Sequence, residues 1–405
     1  MRYNQRTLKA STVYAYARHL LQQTLELETF KPAVPLSVVC SVLLLAACWQ
    51  TSLTGACQMV NDAPSHRHVR NALYAVLPTR PRDLLSRLLA ALRQTLPDDL
   101  FGQAQTMALD LHQRPYYGKK NTKGCTLRKK KASTKKSFTY ATLAVVDHWG
   151  GRFSVGLLPT RPHMRLSNIV EQLLEQAQQL GVDCRLLLLD KEFYAAEVIH
   201  LLQHRRLAFL MPAVKKGSKG TGNSWLFKAD CPVGWHTYSW TTDLRKMDFK
   251  SGKRRKKGQL TVTVPMCVAR YVKDGEQTTV VYAAWGLGKA WSPAGVVGLY
   301  RRRFGIEGSY RQLGQCLART SSRCERLRLL LVGLALLLCN LWAYLHEEAF
   351  STGPRGARQR HLGQARLGTV LAAVAAEVAA QFGGYVREWQ TQHPIPQKFA
   401  PFQTE

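Results

Sequence analysis

The order of apolar runs predicts a mixed α/β protein: a sheet flanked by helices, interrupted by a β-rich insertion, with an all-helical N-terminal region and a helical C-terminus. Three observations carry this. Residues 1–100 show helical periodicity only, strands and helices alternate from about residue 103, and 213–290, rich in Gly and Trp, alternates with period two. The expected boundaries are 1–100, a core of 103–212 with 291–346, an insertion of 213–290, and a linker with one last helix in 347–405.

In the N-terminal region, Ser52–Val60 reads as a short helix and Asn61–Pro64 as a turn. Ser65 is a good N-cap for a second helix over His66–Leu77, closed by Pro78 and Pro81. The pair, near 52–77, resembles a helix-turn-helix, and its second member carries Arg67, His68, Arg70 and Asn71. Gln105–Leu111 reads as a strand with Asp110 near its end. Lys119–Lys136 holds nine Lys/Arg, among them Lys129 and Lys130, and no acid, so it reads as a solvated loop able to clamp phosphates. Phe138–Val146 and Arg152–Leu158 follow as strands around a turn at Asp147–Gly151, then an amphipathic helix over Ser167–Leu180.

Cys184–Leu189 is a continuous apolar run, as in a strand buried on both faces, and it delivers Asp190 at its C-terminal end. A helix over Phe193–His204 and a strand over Leu207–Met211 complete this half of the core. Within the insertion, Arg245–Lys257 has eight bases, including Arg254 and Arg255, against one acid, and reads as a basic hairpin tip. A helix is expected from about Pro293 through Glu307, and the last near Leu367–Phe382. The apolar runs Val34–Trp49 and Leu327–Leu345 read as buried core helices and not as membrane spans, the first for Pro35 and its length, the second for Asn340 and the flanking Arg326 and Arg328.

The chain carries 57 Lys+Arg against 26 Asp+Glu, a net +31, which implies a polyanionic partner. The bases lie in polar runs and not on an amphipathic helix, which favours nucleic acid over a membrane surface. Ten cysteines stand singly with no CxxC pair, which speaks against a structural zinc site and for a reducing cytoplasm. The first 30 residues are polar, so no signal peptide is expected.

Acids are scarce, so the well-placed ones can be enumerated. Asp110 and Asp190 end strands, and Glu307 falls between Arg303 and Arg311, each four residues away, with Tyr300 on the same face of a continuous helix. Asp147 in its hairpin and Glu192 beside Asp190 are weaker rivals, and Asp183 reads as solvated. Three carboxylates from two strands and a helix suit two hard cations, Mg²⁺ or Mn²⁺, which support in-line phosphoryl displacement without a protein nucleophile.

Tyr300, Arg303 and Glu307 match the first three members of a Tyr-x2-Arg-x3-Glu-x6-Lys signature. With Asp110-Leu111-His112 and the Asp190–Tyr194 segment, the chain resembles the DDE transposases of bacterial insertion sequences over roughly residues 45–345. The Lys position falls on Gly314, a departure from the pattern that leaves Arg311 or Arg319 to supply the charge. The gap of 307 − 190 = 117 residues between the last two acids fits members with a β-rich insertion.

The resemblance implies an RNase H-like catalytic core, an N-terminal DNA-binding domain, and cutting at terminal inverted repeats of double-stranded DNA followed by joining to target DNA. It also implies two Mg²⁺ or Mn²⁺ ions per site on Asp110, Asp190 and Glu307, a homodimer when the ends are synapsed, and a cytoplasmic, nucleoid-associated location. Arg303 would hold a phosphate, and Tyr300 would contact the DNA backbone or pack beneath the helix. In some relatives a flipped base stacks on an insertion-domain Trp, for which Trp225, Trp235 and Trp240 are the candidates. Two other readings stay open: a nuclease of the same fold without transposition, and a non-catalytic DNA-binding regulator.

Overall fold

The computed structural model describes residues 7–25, 34–119, 122–131, 134–146, 152–217, 222–247, 254–273, 275–288, 290–303, 311–352 and 365–387. Five helices open the chain: α1 (Ala10–Leu25), α2 (Leu36–Cys48), α3 (Leu53–Gln58), α4 (His66–Val76) and α5 (Pro81–Arg93). Serines start the third and fourth. The Ser52 hydroxyl accepts from the Gly55 amide at 3.1 Å, and Ser65 accepts from His68 at 3.4 Å. Pro81 opens α5 at a position where its missing N–H costs nothing.

The sheet then forms from β1 (Gln105–Pro115), β2 (Thr126–Lys131), β3 (Thr134–Val146), β4 (Arg152–Thr160), β5 (Cys184–Leu189), β6 (Ala208–Pro212), β7 (Gly234–Met247), β8 (Arg254–Lys273) and β9 (Glu276–Trp285). Among the described residues its order is β2-β3-β1-β5-β6-β9-β8-β7, with β4 on the same edge of β3 as β2. Strands β1, β5 and β6 run parallel, and the other pairings are antiparallel. The helix α6 (Leu166–Gln179) connects β4 to β5 and α7 (Ala196–His204) connects β5 to β6, and α8 (Pro293–Arg301), α9 (Glu325–Glu348) and α10 (Leu367–Gln381) follow the sheet. The insertion is no separate sheet: β9 pairs with β6, so the β7–β8 hairpin extends the central sheet sideways.

Alternation along β1 and β5 places both strands between two apolar layers. Met107, Leu109, Leu187 and Leu189 face the side covered by α6, α7 and the N- and C-terminal helices. Ala108, Leu186 and Leu188 face the other side, where Val296, Val297, Leu299 and Tyr300 of α8 pack. This is why Cys184–Leu189 has no polar alternation.

The expectation of buried core helices is met. Nine residues of α2 are buried. Helix α9 is long and apolar enough to cross a membrane, yet most of its apolar residues are buried against α5, α1, α2 and β4. Its one amide explains the packing. Buried Asn340 accepts from the Ser154 amide at 2.8 Å and donates to the Ser154 carbonyl at 3.0 Å, clamping α9 to β4. Asn340→Ala leaves both backbone groups of Ser154 without these partners. We expect about 2 kcal/mol of lost stability, at 1–3 kcal/mol per buried group left unmade, measured by chemical denaturation; an unchanged midpoint would refute the clamp.

The first and last described helices meet. Helix α10 packs against α1 and α2, and the tail beyond it runs along the turn between α3 and α4. Asp62 N–H donates to Phe382 O at 3.0 Å, Asn61 N–H to Gly384 O at 3.2 Å, and Val386 N–H to Met59 O at 3.0 Å. Gly383 has φ +71, and a Cβ there would overlap the Asp62 carboxylate, so glycine is required on both counts.

Two expectations are corrected. The basic run Lys119–Lys136 is not one loop: its second half forms β2 and the start of β3, because Thr126 is buried and bonds to Ser137 and Thr139 across the ladder. Lys129 and Lys130 therefore sit on a strand. Arg254 and Arg255 likewise belong to β8, paired with Met247 and Lys246, which leaves only 248–253, outside the described residues, for the hairpin tip.

Candidate active site

Asp110 and Asp190 occupy equivalent places on neighbouring parallel strands. The β1–β5 register pairs Leu109 with Leu189, and each aspartate is the next residue. Period-two alternation then aims both carboxylates at the face covered by α8. Each is steadied by the backbone. Asp110 Oδ1 accepts from Leu111 N–H at 2.8 Å, and Asp190 Oδ1 accepts from Lys191 N–H at 2.7 Å.

Helix α8 supplies the third element. Its last turn carries Tyr300, and the chain leaves the helix at Arg302 and places Arg303 between the carboxylates. The Arg303 Nη2 lies 3.3 Å from Asp110 Oδ2 and 3.8 Å from Asp190 Oδ1. The guanidinium side chain is only 5% exposed, against 16% for Asp110 and 28% for Asp190. Tyr300 is buried beneath this arrangement. Its hydroxyl donates to the Leu189 carbonyl at 3.3 Å, and its ring packs 5.0 Å from that of Tyr282. Burial pushes the Tyr300 hydroxyl above the ordinary phenol range, with neighbouring Asp190 adding to the rise and Arg303 opposing it, so it stays a neutral donor. Of the two roles the sequence left to Tyr300, the structure shows packing.

The expected single helix through Tyr300 and Arg311 is corrected. Helix α8 ends at Arg301, helix resumes at 311–315, and Glu307 lies in 304–310, outside the described residues. Arg303 consequently does not share a helix face with Arg311, which is exposed. Arg67 and Arg70 are exposed on α4. The helix pair itself forms where expected, one to three residues shorter at its ends.

The three tryptophans do not converge. Trp235 and Trp240 lie five residues apart on β7 and face opposite sides of the sheet. Trp235 Nε1 donates to the Trp291 carbonyl, and Trp225 meets His236 edge to face. Trp240 stacks on Tyr238 at 5.3 Å and lies tilted against Tyr194 at 5.5 Å, and with His163, Arg165 and Lys216 it lines a cavity of about 400 Å³. Lys216 lies 5.2 Å from the Tyr194 ring centroid, and burial lowers its affinity for a proton. Tyr194 and Lys216 escaped the sequence reading as partners of Trp240. The alternation Tyr238/Trp240 was the available signal, but nothing local joins it to residue 194.

No protein-family model matches this chain, and no curated protein matches it. Among solved structures, it is similar to a piggyBac transposase synaptic complex with hairpin DNA. The fold is similar to that of this transposase. The TM-score is 0.58 at 10% sequence identity, covering 99% of this chain and 86% of that one. At such identity the likeness is one of fold, and that neighbour is not named as an enzyme of the bacterial insertion-sequence branch.

Proposed function

We propose that the protein is a DNA transposase that cuts at the ends of an insertion sequence and joins them to target DNA. The observation that carries this reading is the pair of carboxylates at adjacent parallel strand ends with a buried guanidinium between them. The transposase-like fold and the net charge of +31 support it. The strand order β4-β3-β1-β5-β6 supports an RNase H-like core, with β7–β9 as the insertion. The Tyr300–Arg303–Glu307 spacing supports the bacterial insertion-sequence branch.

The carboxylates fit divalent metal. Both offer hard oxygen donors, and Arg303 marks their meeting point as a place where positive charge is stabilised. Asp110 and Asp190 would hold the ions, with Glu307 as the third ligand. Glu307 follows Arg303 by four residues, a reach of at most about 14 Å. When bound, Mg²⁺ or Mn²⁺ stabilises the attacking and leaving oxygens of an in-line phosphoryl displacement.

The chain's own residues set the stage. The Leu111 and Lys191 amides orient the carboxylates, and Tyr300 fixes the backbone at Leu189. Arg303 is placed to exchange its carboxylate partners for a phosphate of the DNA. Trp240, packed against Tyr194 and Tyr238, is the best supported of the tryptophans for an unstacked base. Double-stranded DNA is the partner, a homodimer the synaptic state, and the cytoplasmic nucleoid the location, a reading that rests on ten cysteines without a CxxC pair in the sequence.

The test is cleavage of a plasmid carrying the gene's native flanks, with Mg²⁺ or Mn²⁺. Breaks at both flanks are expected. Metal-dependent breaks scattered without regard to the flanks would make the protein a nuclease, and tight binding without breaks a regulator.

A further inference from the structure

The segment after the active site is extended over 317–324 and is stapled to the N-terminal helices. Arg319 N–H donates to the Thr51 carbonyl at 2.8 Å, just before α3. The Tyr74 hydroxyl of α4 lies 2.7 Å from Ser322 Oγ. Arg328 of α9 donates to the carbonyls of Ser322 and Thr320, and Arg326 donates to those of Leu77 and Pro78 at the end of α4. This anchoring gives the segment a two-sided pattern. Thr320, Ser322 and Cys324 turn inward and are half-buried, while Arg319, Ser321 and Arg323 are exposed.

The inward side meets α4 at Tyr74. Arg70 lies one turn before Tyr74 and Arg67 two turns before it, on the same helix face. The stripe Arg67–Arg70–Tyr74 thus runs directly into Ser322 and its exposed neighbour Arg323. No acid occurs in α4 or in 311–324. Glu325, the first acid beyond, is buried and paired with Arg161 at 3.5 Å, so it leaves the face's charge in place.

We propose that Arg319 and Arg323 join Arg67 and Arg70 in one continuous cationic face, built from α4 and the 317–324 segment, that holds the phosphate backbone of duplex DNA. This rests on the reading that the protein acts on DNA. The backbone that carries Arg319 and Arg323 is held by Thr51, by Tyr74 of α4 and by Arg328 of α9, so both exposed side chains start from a fixed position, and they contribute affinity without base preference.

The experiment is the salt dependence of duplex binding by the full chain, using end DNA and unrelated DNA. The variants are Arg319→Ala with Arg323→Ala, Arg67→Ala with Arg70→Ala, all four together, and Arg185→Ala at the opposite end of the sheet as control. Each lost phosphate contact flattens the plot of log K against log salt by about 0.9. The 319/323 pair is expected to flatten it by about 1.8, equally for both DNAs, and the fourfold variant by a further amount set by the Arg67/Arg70 pair. Arg185→Ala is expected to change nothing. An unchanged slope for the 319/323 pair beside a flattened one for the 67/70 pair would confine binding to α4 and overturn the proposal. So would an equal loss with Arg185→Ala, since the charge would then act diffusely. A wild-type chain that binds no duplex at all would instead overturn the DNA reading from which the proposal starts. Circular dichroism of each variant separates lost contacts from lost fold.

Discussion

On the proposed function, alanine at Asp190 is expected to abolish metal-dependent cleavage and to leave duplex binding intact or slightly stronger. Asp190 stands at the end of β5 in register with Asp110 and is the more exposed of the two carboxylates, at 28%. Its structural duty is modest: its side chain accepts one N–H, from Lys191, in a short turn, and it is the more distant carboxylate partner of Arg303, at 3.8 Å against 3.3 Å for Asp110. Losing such a cap costs about 0.5–2 kcal/mol, within the stability of an ordinary domain. Its catalytic duty is large, since half of the described carboxylate set disappears with it. Loss of a group that stabilises transition-state charge lowers rates by about a hundred- to a thousandfold or more, and if Asp190 holds metal as proposed its loss belongs at the upper end. Binding survives because a negative charge near the phosphate is removed. Asp190→Asn, which keeps a side-chain acceptor for Lys191, should be equally inactive, separating cap from chemistry. Cleavage by Asp190→Ala at a tenth of the wild-type rate would remove this residue from the metal site.

The strands that build this site were legible because their signal is local. A run of four leucines bounded by Cys184 and Asp190 has no polar alternation, so both its faces must be covered, and the structure covers them with α6 and α7 on one side and α8 on the other. Ser52 and Ser65 announced two helix starts through side-chain caps, which also need only near neighbours. Asn340 in a leucine-rich helix announced a buried helix, although its partner, Ser154, is 186 residues away and invisible to any window.

What depended on distant partners was misread. The Lys-rich run became β2 because Thr126 finds Ser137 and Thr139 across a ladder, and charge composition carries no information about ladders. The Tyr300–Arg311 stretch looked like one helix because Arg-Glu-Arg at spacing four is worth a few tenths of a kcal/mol per pair. A guanidinium between two carboxylates outweighs that, and the chain leaves α8 so that Arg303 can reach them. The sequence did carry a warning in Gly305 and Gly308, poor helix formers both. The joining of α10 and residues 382–386 to α1, α2 and the α3–α4 turn had no local signal at all.

Arg303→Ala should destabilise the protein, and divalent metal should restore much of what is lost. Removing the guanidinium leaves two carboxylates facing each other in a partly closed site. Breaking a fully buried ion pair costs about 3–5 kcal/mol because the remaining charge is uncompensated. Asp110 and Asp190 are 16% and 28% exposed, so water recovers part of this, and about 2–3 kcal/mol is the expected loss. Arg303→Lys keeps the charge without the planar fork and should fall between. The decisive comparison is the thermal shift on adding Mg²⁺ without DNA. In the wild type the metal must compete with a resident cation, whereas in Arg303→Ala it meets two carboxylates that have lost that guanidinium, and it is expected to bind tighter. A ligand that binds only the folded state stabilises it by RT ln(1 + [L]/Kd), so the variant should gain more from the same Mg²⁺ concentration than the wild type does. Asp110→Asn combined with Arg303→Ala should lose that gain while recovering stability in metal-free buffer, because the like-charge pair is gone. Equal melting temperatures for Arg303→Ala and wild type would make the guanidinium a bystander. A smaller Mg²⁺ shift in the variant would mean that Arg303 helps to hold the metal rather than standing in its place.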